Sequence, residues 1–178
     1  MQKKVDMKQI FRCLLITMLL ACCNCIARDA PSCSRVLDYI NKQLPHCGVL
    51  KESNGFVYLD VTDDYIHKLI SIIQENGFEE PPYFGSSELV GAHITVVYQN
   101  EAKKYGVGEI QEQGETICFT PKGCKVVHPP HWQEVDEIYL VVIEAPELDR
   151  IRKKYGLPRR EYDFHITIGV KPKAIKAA

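Results

Sequence analysis

The chain has 178 residues, 46% of them hydrophobic and 25% charged, with 22 basic and 23 acidic side chains. That size and balance suit one globular domain and exclude a disordered chain. Residues 1–27 hold four of the basic residues and one acidic residue, so residues 28–178 hold 18 against 22. This acidic balance excludes a general binder of long nucleic acid and favours a small phosphorylated substrate or a short oligonucleotide end.

In chain order, the first feature is a basic region, Lys3, Lys4, Lys8 and Arg12, followed by the apolar run Cys13 to Ala21. Small residues follow, with Cys25 and Ala27 placed as the −3 and −1 sites of a cut before Arg28. This is the pattern of a secretory signal peptide, and Met7 offers a second start with a more typical length. The run is short for a membrane span. Leu19-Leu20-Ala21-Cys22 also resembles a lipoprotein box, in which Cys22 would be lipidated. Either route predicts export of a single domain, residues 28–178, with no membrane attachment beyond that lipid.

Ser34 to Leu44 has the helical spacing of Val36, Leu37, Ile40 and Leu44, with Ser32 or Ser34 as cap and Pro45 after it. Phe56 to Val61 reads as a strand. Thr62 or Asp63 caps a helix from Asp64 to Asn76, ended by Gly77. A Pro/Gly loop spans Glu79 to Ser87, and Leu89 to Tyr98 is a strand. Val107 to Phe119 alternates like an edge or hairpin strand, and His128 to Trp132 is a proline-stiffened loop. Glu137 to Ile143 is a strand, and Pro146 opens a helix running to Tyr155, closed by Gly156 and Pro158. Tyr162 to Val170 is the last strand, before a Lys/Ala tail. The predicted class is α+β.

This order contains a repeat. One copy is a strand at Tyr58-Leu59, a helix, a loop and the strand Ala92-His93-Ile94-Thr95-Val96; the other is a strand at Tyr139-Leu140, a helix, a loop and the strand Phe164-His165-Ile166-Thr167-Ile168. Two such strand–helix–strand units predict a bilobal molecule with two pseudo-twofold-related lobes, built as antiparallel sheets around a central cleft.

Export gives meaning to Cys33, Cys47, Cys118 and Cys124, an even set in an oxidising compartment. A turn at Phe119 to Gly123 would fold Cys118 onto Cys124 and leave Cys33 to pair with Cys47; four free thiols are the alternative. The spacings are not those of a zinc module.

Side chains alternate across a strand, so His93 shares a face with Thr95, and His165 with Thr167, while the aliphatic neighbours point the other way. Facing across a cleft, the two strands offer two imidazoles and two hydroxyls. Imidazole holds neutral and protonated forms near working pH. One can take a proton from the attacking water while the other gives one to the leaving oxygen. The hydroxyls can donate to the non-bridging phosphate oxygens. No metal or other cofactor is required. The remaining histidines are weaker candidates: His67 on a helix, His128 and His131 in the proline loop, His46 beside Cys47.

The two pentapeptides resemble the paired signatures of the two-histidine (2H) phosphoesterase superfamily, over about Gly55 to Val170. The resemblance implies a bilobal α+β fold, general acid/base roles for His93 and His165, and phosphate contacts from Thr95 and Thr167. The expected substrate is a 2′,3′-cyclic nucleotide, a short RNA end or a similar small phosphodiester, acted on by a monomer. Arg159 and Arg160 are ancillary candidates for phosphate, and Tyr83, Phe84 and Trp132 for stacking a base; Tyr98 is read as core. The rival readings are a non-catalytic nucleotide-binding module and a metal-dependent hydrolase with Asp163 beside the His pair.

Overall fold

The computed structural model describes residues 28–81, 90–130 and 132–174. The elements are β1 (Arg28–Asp29), α1 (Cys33–Gln43), β2 (Cys47–Ser53), β3 (Phe56–Asp60), α2 (Asp64–His67), α3 (Ile70–Ile73), β4 (His93–Val97), α4 (Gln99–Tyr105), β5 (Thr116–Cys118), β6 (Thr120–Val127), β7 (Val135–Glu144), α5 (Pro146–Lys154) and β8 (Phe164–Pro172). The class is α+β, as the pattern predicts.

The strands form one antiparallel sheet in the order β1-β6-β7-β8-β4-β3-β2-β5. The two units are therefore halves of one continuous sheet rather than separate sheets, because β4 pairs directly with β8 through Ile94 and Ile166. β5 and β6 are separated by Phe119 alone, yet they stand near opposite ends of the strand order. Two chain steps of about 3.8 Å are all that parts Cys118 from Thr120, so the sheet must curl until its two ends meet there.

The core lies on one face of this curl. Ile94, Val96, Ile166, Ile168, Val141 and Phe164 are buried there with Val36, Ile40, Ile66, Leu69, Ile73, Leu148 and Ile151 from the helices. Two core tyrosines keep their hydroxyls satisfied: Tyr65 donates to the Pro45 carbonyl (3.0 Å) and Tyr139 to that of Pro31 (2.7 Å).

Several expectations need correction. The helix expected over Asp64 to Asn76 is two short α turns and a 3-10 turn at Gln74–Asn76, closed by Gly77 at φ 82°. Three isoleucines in Ile70-Ser71-Ile72-Ile73 are stiff at χ1 and weaken a continuous helix. Asp63 does not cap it; Thr62 Oγ1 accepts from the Asp64 N–H at 3.3 Å. The strand expected over Val107 to Phe119 is real only at Thr116–Cys118, and a helix not expected from the pattern spans Gln99–Tyr105. Its signals were local: Glu101 reaches back to the Tyr98 N–H (3.4 Å), and Gly106 closes it at φ 65°.

The cysteine pairing also differs. The disulfides are Cys33–Cys124 and Cys47–Cys118. The stretch expected to turn at Phe119 to Gly123 is, from Thr120 on, strand β6, paired to β7 with a register shift between Pro121 and Gly123. A shift of that kind is where a strand accommodates proline and glycine. Extended chain carries Cys124 away from Cys118, which is instead the direct cross-strand partner of Cys47. The eleven residues of α1 likewise separate Cys33 from Cys47. Both bridges flank the place where the sheet ends meet.

Candidate functional site

The centre of the sheet is the β4–β8 pair. Ile94 and Ile166 sit opposite one another with their side chains in the core. Their neighbours on both strands therefore point to the other face. There His93, Thr95, His165 and Thr167 are half-buried. Antiparallel register carried one residue either way from Ile94 and Ile166 sets His93 beside Thr167 and His165 beside Thr95. The structure thus brings together all four residues that the two pentapeptides single out.

Each imidazole is held by the same device. His93 Nδ1 lies 2.7 Å from the Gly91 carbonyl, and His165 Nδ1 lies 2.8 Å from the Asp163 carbonyl. A carbonyl only accepts, so Nδ1 carries the proton in both neutral rings and Nε2 is left as the unprotonated nitrogen. Burial pushes both imidazoles below the ordinary histidine value, opposed by the carbonyl bonds and by one carboxylate each, Asp60 for His93 and Asp163 for His165. The charge of His93 also lowers His165, which places the two rings within electrostatic reach of each other.

The surroundings differ. Asp60 and Tyr58 on β3 are the cross-strand partners of His93 and Thr95. Phe56 and Tyr58 meet the His93 ring edge-on at 5.8 and 5.9 Å, and Lys51 binds Asp60 at 2.5 Å. His165 and Thr167 have aliphatic partners, Val142 and Leu140. The Gly91 carbonyl is itself positioned: Asp63 Oδ1 accepts from the Ala92 N–H at 2.8 Å. A Cβ on Gly91 would stand 2.1 Å from that oxygen, so any side chain there would push the Asp63 carboxylate off the Ala92 N–H. An Asp before a helical pattern has the local signature of a cap, which makes Asp63 a cap candidate beside Thr62; its partner is instead 29 residues away.

Beside Thr95 and His165 opens a cavity of about 590 Å³, walled by α4 and the loop 158–163. Arg159 and Arg160 both line it, but they differ in use. Arg160 binds Asp149 through two nitrogens (2.8 and 3.1 Å) and its guanidinium sits 3.9 Å over the Phe164 ring. Arg159 is exposed and has no ion pair or hydrogen bond among the described residues. Tyr98 corrects the core reading: β4 ends at Val97, the alternation stops, and Tyr98 is 47% exposed and lines the cavity. Trp132 precedes β7, whose far end carries the His165 partner Val142, and it is absent from the cavity wall. Tyr83, Phe84 and His131 lie outside the described residues.

The other histidines have local roles: His67 faces Glu80 at 3.0 Å, His128 the Asp136 carbonyl at 2.8 Å, and His46 the Ile40 carbonyl at 3.3 Å. The Asp163 carboxylate binds Lys125 at 2.8 Å, which holds it below the usual carboxylate value. Among the described residues no cluster of three or more His, Cys, Asp or Glu side chains is arranged to hold a metal ion.

A buried arginine that the sequence did not single out supports the cavity floor. Arg152 is 5% exposed and donates to the Val96 carbonyl (2.6 Å), to both Glu101 oxygens (2.5 and 3.0 Å) and to the Pro158 carbonyl (3.1 Å). It joins β4, α4 and the loop before β8. Its one sequence signal was its place four residues after buried Leu148, on the apolar stripe of α5.

A family model described as the Swiss Army Knife 2H phosphoesterase domain matches residues 57–175, which include both His-x-Thr strands. The chain belongs to the 2H phosphoesterases. Membership points to phosphodiester hydrolysis in general. No curated protein and no solved structure matches the chain. The family match begins in β3, so Cys33 and Cys47 precede it while Cys118 and Cys124 lie inside it. In this 2H phosphoesterase the two disulfides therefore fasten α1 and β2 to the family domain.

Proposed function

We propose that the protein hydrolyses a 2′,3′-cyclic nucleotide, a short RNA end or a similar small phosphodiester by acid/base catalysis at His93 and His165, without a metal. The observation that carries this reading is the matched pair of Nδ1-to-carbonyl bonds, which leaves an Nε2 on each side of one sheet crossing. A neutral Nε2 takes a proton from water as the water oxygen bonds to phosphorus. The opposite imidazolium gives its proton to the ester oxygen as the P–O bond breaks, and the product is a phosphomonoester. Thr95 and Thr167 donate to the non-bridging oxygens, where negative charge gathers in the transition state. The two half-sites act as pseudo-twofold mates across the cleft. The protein works as an exported monomer whose disulfides form in an oxidising compartment.

The test is a panel of 2′,3′-cyclic nucleotides and short linear oligonucleotides, run with and without chelator. Turnover insensitive to chelator, and lost in a folded variant carrying His93→Ala and His165→Ala, supports the reading. A double variant as fast as the wild type on a confirmed substrate places the chemistry elsewhere. Binding without turnover across the panel favours a nucleotide-binding module.

A further inference from the structure

The cavity is larger than a cyclic phosphate requires, and its wall has a distinct chemistry. At about 590 Å³ it falls in the range of pockets that hold whole small ligands. Three exposed aromatic side chains border it: Tyr98 (47%), Tyr105 (42%) and Tyr162 (61%). Exposed phenol rings around one concavity offer flat surfaces on which a base can stack.

Its charges divide into used and unused. Arg152 is spent on Glu101, Arg160 on Asp149, and Asp163 on Lys125. The remaining cations on the wall are Arg159 and Lys104, whose Nζ stands 5.2 Å from the centre of the Tyr105 ring. Against them the wall sets one carboxylate, Glu161, that has no ion pair among the described residues. A guanidinium free to form two parallel hydrogen bonds is suited to phosphate. Arg159 lies one residue before Arg160, whose ties to Asp149, the Tyr162 carbonyl (3.1 Å) and the Phe164 ring hold this part of the loop in place. The loop thus offers a cation that makes none of the fold's own bonds, on the same wall as His165.

We propose that this cavity is a subsite for the non-reacting part of the substrate, with Arg159 taking a second phosphate and the tyrosines taking the base. This rests on the hydrolytic reading above and narrows it to nucleotides bearing a phosphate besides the one attacked. That phosphate is either a terminal 5′-phosphate or the internucleotide phosphate of an oligonucleotide end.

Steady-state kinetics on the full protein with three substrates tests this: adenosine 2′,3′-cyclic phosphate, its 5′-phosphorylated form, and the ApA dinucleotide ending in a 2′,3′-cyclic phosphate. The wild type is expected to show a KM at least about tenfold lower for one of the phosphate-bearing substrates, on the scale of one charge-assisted contact. Which one it favours identifies the source of the phosphate. Arg159→Ala is expected to erase that preference by raising KM, with kcat little changed, and Arg159→Lys to restore part of it. Equal KM values for all three substrates in the wild type, or an equal rise for all three in Arg159→Ala, would overturn the subsite. Turnover of none of them would overturn these substrates instead. Calorimetric binding of adenosine 5′-monophosphate would then still decide the subsite: affinity lost in Arg159→Ala supports it, and affinity unchanged overturns it.

Discussion

The two halves of the sheet hold the same side chain in the same way but support it differently. On β4 the carbonyl that orients His93 belongs to Gly91, next to the buried Ala92 whose N–H donates to Asp63, and the ring is walled by Phe56, Tyr58 and Asp60. On β8 the carbonyl belongs to Asp163, whose exposed side chain is tied to Lys125, and the cross-strand partners are aliphatic. Each half also has its own disulfide, β2 to β5 on one side and α1 to β6 on the other. The lesson is that a strand motif specifies which groups lie on the face opposite the core, whereas the tertiary neighbours specify how firmly, and in what electrostatic setting, each is held.

The largest expected effect tests whether the halves are functionally equal. His93→Ala and His165→Ala should each lower kcat at least about a hundredfold, the scale of one general acid or base. The double variant should fall far short of the product of the two losses, because the pair acts as a unit. A hundredfold loss at one site and none at the other, measured on the same substrate, would break the comparison.

The disulfides come next. Replacing Cys47 and Cys118 by Ala, or Cys33 and Cys124 by Ala, should each cost about 2–5 kcal/mol in denaturant unfolding, the scale of a native disulfide in a small domain. A loss below about 1 kcal/mol in one pair would show that its half is held without the bridge.

Asp63→Ala should sharpen the contrast between the two carbonyl anchors. It strips the Ala92 N–H of its acceptor and should cost about 1–3 kcal/mol of stability, with a fall in kcat as the Gly91 carbonyl loses its position. Lys125→Ala acts on the exposed ion pair at Asp163 and should cost less than about 1 kcal/mol. Equal losses, read by thermal unfolding, would mean that the anchors are equivalent after all.

The smallest effect is on pH. Burial depresses both imidazoles, so between their folded values and the ordinary value of about 6.5 the unfolded chain binds more protons than the folded one. The histidine contribution to stability is therefore complete above about pH 6.5 and is lost as pH falls through the depressed values. Unfolding midpoints from pH 5 to 7.5 should show a shallower slope in the His93→Gln, His165→Gln variant than in the wild type. An unchanged slope would remove burial as the cause. The rate profile should be bell-shaped, with apparent values belonging to the pair.

The amino-acid sequence by itself determined the strands β4 and β8, the face on which His93, Thr95, His165 and Thr167 lie, the helices α1 and α5, and the duplicated order. All of these follow from periods of two or about 3.6 residues and from caps, which are local properties of the chain. Arg159 and Arg160 were legible as neighbours of the second motif, but not which of them was free, since Asp149 and Phe164 decide that. The tertiary structure alone joined the two units into one curled sheet, because the pairing of Ile94 with Ile166 links residues 72 apart. It also set Cys47 against Cys118 and Cys33 against Cys124, where a local turn had suggested otherwise. Asp63, Arg152 and Tyr98 were hidden for the same reason. Their partners lie on other elements or where an element ends, and only folding brings a side chain within 3 Å of a group that the chain places dozens of residues away.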